Sequence, residues 1–500
     1  MYKVSQILPH ETLDPDDWDS FRKLGHRMVD DMLDYLESIR ERPAWQRAPE
    51  EIKRFFIADL PRESQTAEDI YEEFLEYVLP YPIGNIHPRF WGWVFGTGTV
   101  LGAMAEFLAA VMNTNAGDMD HHSANHVEKQ VLTWIKEMLG YPVSASGLLT
   151  SGCSAANLIA LIVARNAKAG YDLRSEGIKS GAKQMVLYAS EEIHSSIQKA
   201  IEIIGLGNQA LRRIPVDHDF QMNIPDLVAA VHKDRESGKE PFCVIGAAGT
   251  TNTAAFDDLG RLADFCSEED LWFHVDGAFG AWAALTSSKN AVVGMERADS
   301  LAIDLHKWMY LQYDIGCVLV RNAALHKDAF FLRPAYLERA ASEKGMTSGD
   351  LPWLTDYGFQ LSRNFQALKA WMSIKEHGSR KIGRLIEQNI NQAKFLADQI
   401  RDSKQLELMA PVSLNVVCFR YFSPEFSEGR MDKLNQEIMA ELQESGIAVV
   451  SGTRIKGRFA LHVAITNHRS AFSDFEILVG EVVKLGEQIS KDLMKDRHNE

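Results

Sequence analysis

Between about residues 100 and 320, short apolar runs alternate with segments whose apolar residues recur every three or four positions, such as "SSIQKAIEIIG" and "LGRLADFCSEE". Strands alternating with helices predict an α/β fold with a mostly parallel sheet covered by helices on both faces. Ligands of such sheets bind outside the carboxyl ends of the strands, so we expect the functional site there. The apolar runs that predict strands are "MVLYA" (185–189), "CVIGAA" (243–248), "LWFHV" (271–275), "SLAID" (300–304) and "GCVLV" (316–320).

The start of the chain predicts an amphipathic helix over "DPDDWDSFRKLGHRMVDDMLDYLESI", with Asp14 as the N-cap and Pro15 in the first turn. Nothing nearby in the sequence covers the apolar face of this helix. It therefore either packs on a distant part of its own domain or clasps a second subunit. The apolar residues at helical spacing are Trp18, Phe21, Leu24, Met28, Met32, Tyr35 and Ile39.

The last third of the chain has a different pattern. The polar stretch "LERAASEKGMTSGD" (337–350) has too few apolar residues for an interior element and predicts a mobile loop. A long helix, "RNFQALKAWMSIKEHG", leads into a final section with the strands "NVVCFRYF" and "FALHVAIT" and two amphipathic helices. We therefore expect a helical N-terminal segment over 1–90, a large α/β domain over 91–380 and a small α+β domain over 381–500.

Composition and charge narrow the class of protein. The chain has 500 residues and a formal charge of −16, without a run of Lys or Arg, which argues against nucleic acid or anionic lipid as a partner and favours a small molecule. The start lacks a signal-peptide pattern, and no stretch approaches the roughly 20 apolar residues that span a bilayer, so we expect a cytoplasmic protein. The cysteines are scattered and suit reduced, packed thiols: Cys153, Cys243, Cys266, Cys317 and Cys418.

A glycine-rich stretch, "GLLTSGCSAANLIALIVAR", precedes a strong helical pattern. Gly147 and Gly152 lie among small residues, so free backbone N–H groups and the helix dipole converge on one point. This stretch predicts an anion site that suits phosphate. An ordinary loop with a serine cap is the alternative.

Three further side chains follow predicted strands. Asp276 ends a strand in "FHVDGAFGAW", where a carboxylate among small residues can pair with a ring nitrogen of a flat ligand. His194 in "ASEEIHSSIQKA" stands at the start of a helix that follows a strand. Lys307 in "SLAIDLHKWMY" follows a buried strand, where burial is expected to depress the pKa of its amine and make it a nucleophile. Alone, each has a structural explanation, such as a turn, a cap or a satisfied core histidine.

Together, these features predict a binding site for pyridoxal 5′-phosphate (PLP). An anion cradle, an acid for a ring nitrogen, an imidazole that can stack and a desolvated lysine are what this cofactor requires. The lysine holds the cofactor covalently. The acid keeps the pyridine nitrogen protonated, so that the ring withdraws electrons from the substrate Cα.

The chain resembles the group II PLP-dependent amino-acid decarboxylases, the family that includes aromatic-L-amino-acid decarboxylase. The stretches "LTSGCSAAN", "SEEIHSS", "HVDGAFG" and "DLHKW" resemble four family motifs in the family's order, and the N-terminal helix and "NIHPRFWGWV" also fit. The resemblance covers nearly the whole chain. It implies the fold type I of PLP-dependent transferases and a homodimer with sites at the interface.

The resemblance also implies roles for individual residues. Lys307 is the expected cofactor lysine, Asp276 the partner of the pyridine nitrogen and His194 the imidazole stacked on the ring. Tyr336 in "FFLRPAYLERA" matches a loop tyrosine that donates a proton to the substrate carbon after CO2 leaves; family members with Phe there make aldehydes. Further cofactor-binding residues are expected at Cys153 and Ser154, which would hold phosphate, and at Thr251, Ala278 and His306.

Two positions depart from the animal aromatic enzymes. Asp304 stands where those enzymes have an Asn that touches the phosphate. A carboxylate there would repel a dianion unless it turned away or were protonated, so Asp304 is left out of the expected phosphate site. Ser362, before Arg363, stands where Gly accompanies catechol and indole substrates, while Ser occurs in histidine- and tyrosine-specific members.

The expected substrate is an aromatic L-amino acid: tyrosine, tryptophan, DOPA or 5-hydroxytryptophan. The resemblance places Ile86, Phe95 and Thr97, together with Ser362, near the substrate side chain, which favours a flat apolar group. An acidic substrate would need a cation, and Arg89 is the candidate in that stretch. The alternatives are a decarboxylase of histidine, acidic or diamino acids, an oxidative aldehyde synthase on the same scaffold, and a non-catalytic PLP-binding protein.

A metal site was weighed at "GDMDHHSANHVE". His122 and His126 are four residues apart and could bind zinc if Asp118 or Glu128 joined them. The sequence has no HExxH motif, and the resembled family needs no metal. We therefore expect these histidines to cap a helix and border the pocket.

Overall fold

The computed structural model describes residues 12–118, 121–332 and 353–496. Its helices are α1 (Trp18–Glu37), α2 (Glu50–Phe55), α3 (Ala67–Glu73), α4 (Val100–Met112), α5 (Ser123–Leu139), α6 (Cys153–Lys168), α7 (Leu173–Glu176), α8 (Ser195–Ile203), α9 (Ile224–Glu236), α10 (Leu259–Glu268), α11 (Ala323–Phe330), α12 (Ala367–Asp402), α13 (Glu428–Glu444) and α14 (Phe472–Asp496). Its strands are β1 (Ser146–Thr150), β2 (Met185–Ser190), β3 (Leu211–Ile214), β4 (Glu240–Ala247), β5 (Trp272–Asp276), β6 (Ser300–Asp304), β7 (Gly316–Val320), β8 (Leu406–Leu408), β9 (Val416–Tyr421), β10 (Ser451–Ile455) and β11 (Arg458–Ala464).

The large sheet has the strand order β1-β7-β6-β5-β4-β2-β3. Strand β7 runs antiparallel to both of its neighbours, and the other pairs of adjacent strands are parallel. This confirms the predicted α/β fold with a mostly parallel sheet. The predicted strands are all present, and β1 and β3 add to them. Strand β3, "LRRI", was missed because two arginines hide a short strand at the edge of the sheet.

The alternation of side chains along β5 determines which of them face the site. Trp272, His274 and Asp276 are alternate residues of β5, so they share one face of the sheet. In the parallel register, His274 is opposite Ser300 of β6. Helix α6 packs against β5 and β6, and side chains near its N-terminus contact this face.

The second sheet, antiparallel in the order β10-β11-β9-β8, has a separate apolar core with α13 and α14. The segment before α4 joins the two sheets. Trp91 is buried in the core of the second sheet, and its backbone N–H donates to the Val449 carbonyl at 2.7 Å. The segment expected to line the substrate site is therefore anchored to the second sheet through Trp91.

Helix α1 begins later than predicted. Asp17, not Asp14, is its N-cap, and the Asp17 carboxylate accepts hydrogen bonds from the N–H groups of Asp19 and Ser20. Leu24 is buried, whereas Trp18 is 59% exposed. Phe21 is also exposed, so the described residues leave the N-terminal part of the apolar face uncovered.

The predicted loop 337–350 and Tyr336 lie outside the described residues. The long helix predicted after that loop is present as α12, which Gly378 interrupts with a φ of 66°. Within the described ranges, no helix has both the length and the apolar content to cross a membrane.

Candidate active site

The predicted site residues meet at the carboxyl ends of β5 and β6. Strand β5 ends at Asp276, strand β6 ends at Asp304, and Lys307 follows in the next turn. Helix α6 begins beside them at Cys153, after Gly152 with a φ of 154°. Three segments distant in sequence thus present polar groups to one location.

Lys307 forms an ion pair with Asp304. The distance from Lys307 Nζ to Asp304 Oδ2 is 2.9 Å, and the lysine side chain retains 20% of its exposure. The predicted depression of the lysine pKa is wrong. Burial acts to lower the pKa of Lys307, but Asp304, together with Cys153 and Asp276, outweighs it and raises the pKa above its ordinary value.

The Asp304 carboxylate contacts both the start of α6 and Lys307. Its Oδ1 accepts a hydrogen bond of 2.6 Å from the Cys153 backbone N–H, the first amide of α6, while Oδ2 faces Lys307. The carboxylate therefore lies at the positive end of the helix dipole, where an anion is stabilised. Asp304 thus bridges the expected anion cradle and the lysine.

Asp276 is held by three hydrogen-bond donors. Its Oδ2 accepts from Asn157 Nδ2 at 3.1 Å, and its Oδ1 accepts from the Ala278 N–H at 3.3 Å and from Cys153 Sγ at 3.4 Å. Burial and the nearby carboxylates raise the pKa of the Cys153 thiol well above its ordinary value, which keeps the thiol protonated as a donor. The Cys153 side chain therefore supports Asp276, and its backbone amide is engaged by Asp304.

The two predicted histidines have different surroundings. His194 is the N-cap of α8, and its Nδ1 accepts the Ser196 N–H at 3.2 Å, while the ring remains exposed. An exposed ring near a buried carboxylate can cover a flat ligand. His306 is buried, and its Nδ1 accepts the Ile315 N–H at 3.2 Å; burial lowers the pKa of His306.

Two predicted cofactor residues lie at the margin of this cluster. Ser154 is exposed in the first turn of α6. Thr251 is half-buried, and its carbonyl accepts a hydrogen bond of 2.9 Å from His462 of the second sheet. The loop after β4 is thereby tied to the second sheet.

The expected substrate segment packs against the backbone of Lys307. A Cβ added to Gly96 would lie 2.6 Å from the Lys307 carbonyl oxygen, so only glycine fits there. Phe95 makes an edge contact with Tyr313 at 5.9 Å between ring centroids, and Tyr313 lies 4.2 Å from the His306 ring. Thr97 is buried next to Gly96, and Ile86 is half-buried. Phe95 is thus brought to the side of the lysine.

Arg89 has its partners away from Lys307. Its Nε donates to the Ile447 carbonyl at 2.6 Å, and its Nη1 lies 3.8 Å from Asp474 Oδ1. Ser362 is exposed, next to the buried Arg363.

Glu128, weighed as a metal ligand, is instead paired with Arg363. The distance from Arg363 Nη2 to Glu128 Oε1 is 2.6 Å, and both side chains are buried. The same Oε1 accepts the Leu149 N–H at 3.1 Å. Among residues 12–118, 121–332 and 353–496, no group of three potential ligands is arranged for a metal ion.

The sequence reasoning missed the buried polar residues behind Asp276, namely Asn157, His274 and Ser300. A signal for them exists in the spacing. His274 is two residues before Asp276 on a strand, and Asn157 is four residues after Cys153 on a helix, so each shares a face with a predicted site residue.

These residues fit PLP. An ionised carboxylate has about four lone-pair positions, and the three donors on Asp276 leave room for the N–H of a pyridine ring. Lys307 supplies the amine, and the N-terminus of α6 supplies a dipole that favours phosphate. Gly152 presents no Cβ toward residues 304–306, and the Asp304 carboxylate lies between the lysine and the α6 terminus and contacts both.

Comparison with known proteins agrees with this reading. Residues 49–422 match the family model described as the pyridoxal-dependent decarboxylase conserved domain. The chain therefore belongs to the pyridoxal-dependent decarboxylase family, and it is a PLP-dependent amino-acid decarboxylase.

Individual relatives match over nearly their whole length. The chain is 32% identical over 477 residues to the aromatic-L-amino-acid decarboxylase of Bacillus atrophaeus, covering 94% of this chain and 96% of the relative. It is 27% identical over 466 residues to the phenylacetaldehyde synthase of Arabidopsis thaliana, covering 91% and 93%. The crystal structure of an Oryza sativa TDC with PLP and tryptamine superimposes with a TM-score of 0.88 at 27% identity, covering 96% and 100%.

Proposed function

We propose that this enzyme converts an aromatic L-amino acid, such as tyrosine, tryptophan, DOPA or 5-hydroxytryptophan, to its amine and CO2. The observation that carries this proposal is the contact between the aromatic rings of Phe95 and Tyr313, next to Gly96, which packs on the backbone of Lys307. The hydrogen bond from Arg89 to Ile447 supports the preference, because it commits the candidate cation for an acidic substrate elsewhere. The relative from Bacillus atrophaeus, named for aromatic amino acids, points the same way.

We assign the roles within the site as follows. Lys307 binds PLP covalently, and Asp276 accepts a hydrogen bond from the pyridine N–H and so keeps that nitrogen protonated. His194 covers one face of the ring, Ala278 lines the ring next to Asp276, and Ser154 and the α6 terminus face the phosphate. PLP, when bound, supplies an electron sink for the substrate carbon that loses CO2.

Asp304 has a separate task in this scheme. Because it pairs with Lys307, it holds the amine in place near the end of β6 in the cofactor-free protein. Tyr336 is assigned as the proton donor to the substrate carbon. Thr251 and His306 complete the cofactor surroundings, and Ile86, Thr97 and Ser362 border the substrate side chain.

Product analysis tests the proposed substrate. The enzyme is incubated with each proteinogenic amino acid and with DOPA, 5-hydroxytryptophan and 2,4-diaminobutyrate, and amines are identified by mass. We expect aromatic amines, and none from the Lys307→Ala control. A strong preference for glutamate, aspartate, histidine or diaminobutyrate would contradict the proposal and leave the PLP chemistry intact.

Aldehyde formation is the rival reaction, because a phenylacetaldehyde synthase is among the relatives. We assign decarboxylation on the basis of Tyr336. CO2 and an amine support this assignment, whereas an aldehyde with ammonia and peroxide contradicts it. Replacing Tyr336 by Phe is expected to shift the products toward the aldehyde, and an unchanged product ratio and rate would remove Tyr336 from the mechanism.

We also propose a homodimer and a cytoplasmic location. Helix α4 exposes a cluster of large apolar side chains, as α1 does, and a second copy of the chain would cover them. The cytoplasmic location is supported by the cysteines, all of which are buried as free thiols. The exposed apolar residues of α4 are Val100, Phe107, Leu108, Val111 and Met112.

A further inference from the structure

Asn157 is a buried amide whose hydrogen-bonding groups contact both sides of the site. Its Nδ2 donates to Asp276 Oδ2 at 3.1 Å and to Ser196 Oγ at 3.3 Å. Its Oδ1 accepts from His274 Nε2 at 2.8 Å. The side chain is fully buried, so none of these bonds is exchanged with water.

The orientation of the amide is fixed from both ends of a chain of hydrogen bonds. At one end, the ionised Asp276 can only accept, so the NH2 group of Asn157 must face it. The carbonyl of Asn157 then faces His274 and requires a proton on Nε2 of that ring. Burial lowers the pKa of His274 to about 4, so the ring is neutral and its Nδ1 is an acceptor.

The far end of this chain enforces the same arrangement. Trp272 Nε1, which can only donate, lies 2.8 Å from Ser300 Oγ. The Ser300 hydroxyl therefore directs its own proton to His274 Nδ1, at 2.8 Å. Each residue therefore donates a hydrogen bond to the next, from Trp272 to Ser300, His274 and Asn157 in turn. The last donor, the NH2 group of Asn157, bonds to Asp276.

A second branch reaches the histidine on the other side of the site. Ser196 Oγ accepts from Asn157 and lies 2.9 Å from His194 Nδ1, which also accepts the Ser196 backbone N–H. The Ser196 hydroxyl therefore donates to His194 Nδ1. One amide thus orients the carboxylate behind the cofactor ring and the imidazole that covers it.

We propose that Asn157 is a positioning residue that orients Asp276 and His194 together, and that the chain Trp272–Ser300–His274 imposes the orientation of Asn157. This inference rests on the roles proposed above for Asp276 and His194. It concerns residues that do not touch the substrate, so it is independent of which amino acid is decarboxylated.

The test compares variants of the PLP-loaded enzyme. Asn157→Asp keeps the size of the side chain and replaces the donor by an acceptor, and Ser300→Ala removes the hydroxyl that selects the His274 tautomer. Ser300→Thr restores a hydroxyl and serves as the rescue. Tyr188→Phe is the structural control, because it removes another buried hydrogen bond of the same sheet, from Tyr188 OH to Asp234 Oδ2 at 3.0 Å.

The readouts are the visible absorption spectrum of the bound cofactor, its retention on dialysis, and kcat and KM. We expect Asn157→Asp to shift the spectrum, to lose cofactor faster and to lower kcat about tenfold to a hundredfold, the loss typical of a hydrogen bond to a charged group. Ser300→Ala should change all three in the same direction by a smaller factor, with KM nearly unchanged. Ser300→Thr and Tyr188→Phe should resemble the wild type.

A wild-type spectrum and wild-type retention in Ser300→Ala would overturn the proposal, as would a change no larger than that of Tyr188→Phe. If Asn157→Asp does not fold, the comparison of Ser300→Ala with the wild type and with Tyr188→Phe is sufficient to test the proposal. The spectrum and the retention are measured without substrate. They therefore remain interpretable if the enzyme does not accept aromatic amino acids, which separates this test from that of the proposed function.

Discussion

The ion pair between Lys307 and Asp304 offers the sharpest test of how the site is held before it binds its cofactor. The substitution Asp304→Asn removes the charge and keeps an oxygen that can accept the Cys153 N–H, at present 2.6 Å from Oδ1. The variant therefore isolates the ion pair from the hydrogen bond to α6. The lysine is left buried without a counter-ion.

The size of the effect follows from the geometry. At the 2.9 Å separation of Nζ and Oδ2, an effective dielectric constant of about 20 gives an attraction of roughly 6 kcal/mol. Part of this attraction compensates the desolvation of the two charges, and removing one partner of a buried pair typically costs about 3 to 5 kcal/mol. Because the lysine keeps some exposure and can release its proton, we expect a loss of about 3 kcal/mol for the cofactor-free protein.

The pH dependence has a defined sign. Asp304 raises the pKa of Lys307 in the folded protein, so the stability from the pair is present below the ordinary lysine pKa of about 10.4 and is lost as the pH rises through the folded value. The difference between wild type and Asp304→Asn should thus be largest near neutral pH, where the wild-type lysine is fully charged. It should narrow at higher pH.

Urea unfolding of the cofactor-free proteins at neutral pH measures the difference. We expect the midpoint of Asp304→Asn to fall by about 0.5 to 1 M. Glu481→Gln is the control, since its partner Lys484 is 65% exposed and a surface pair contributes about 0 to 1 kcal/mol. A midpoint for Asp304→Asn that equals that of the control, or exceeds that of the wild type, would refute the reasoning.

Three other predictions follow from the same structure. Asp276→Asn is expected to bind PLP but lose turnover by orders of magnitude, because the shape stays and the charge that keeps the pyridine nitrogen protonated is gone; near-normal turnover would remove this role. Glu128→Gln should lower the urea midpoint well beyond the Glu481→Gln control, because Arg363 loses its buried partner at 2.6 Å; a midpoint like that of the control would show that the pair adds no stability. Sedimentation at micromolar concentration should give a dimer, and a fully active monomer would show that the apolar faces of α1 and α4 are not an interface.

The strands that carry the site were predictable from the sequence because they are buried on both faces. Strands β5, β6 and β7 are continuous apolar runs bounded by polar residues, and the ends of β5 and β6 correctly located Asp276 and Lys307. A buried strand needs no partner information to be recognised. Strand β3 was missed because its arginines resemble a loop pattern.

The charge state of Lys307 could not be predicted from local sequence. Asp304 is three residues away, and its distance from the amine depends on the turn that ends β6. The sequence prediction considers only the burial of Lys307, which lowers the pKa of a lysine. In the fold, the Asp304 carboxylate lies 2.9 Å from the amine. The direction of the pKa shift therefore depends on the conformation of the turn between residues 304 and 307.

The hydrogen bonds behind Asp276 could not be predicted from sequence, because they form between residues of separate elements. His274 and Ser300 are opposite each other only because β5 and β6 pair in this register, and Asn157 reaches them only because α6 packs on that face. A polar residue in an apolar run indicates that a partner exists. Which partner it is requires the packed structure.

Covalent attachment of PLP to Lys307 is the central claim, and peptide mass analysis tests it most directly. The purified enzyme is reduced with borohydride, which makes the lysine–cofactor linkage permanent, and is then digested and analysed by mass spectrometry. We expect the enzyme to be yellow from its bound cofactor and to carry the cofactor mass on the peptide containing Lys307, and Lys307→Ala to be colourless and unlabelled. Cofactor mass on a different lysine, or an unchanged visible band in Lys307→Ala, would contradict the account.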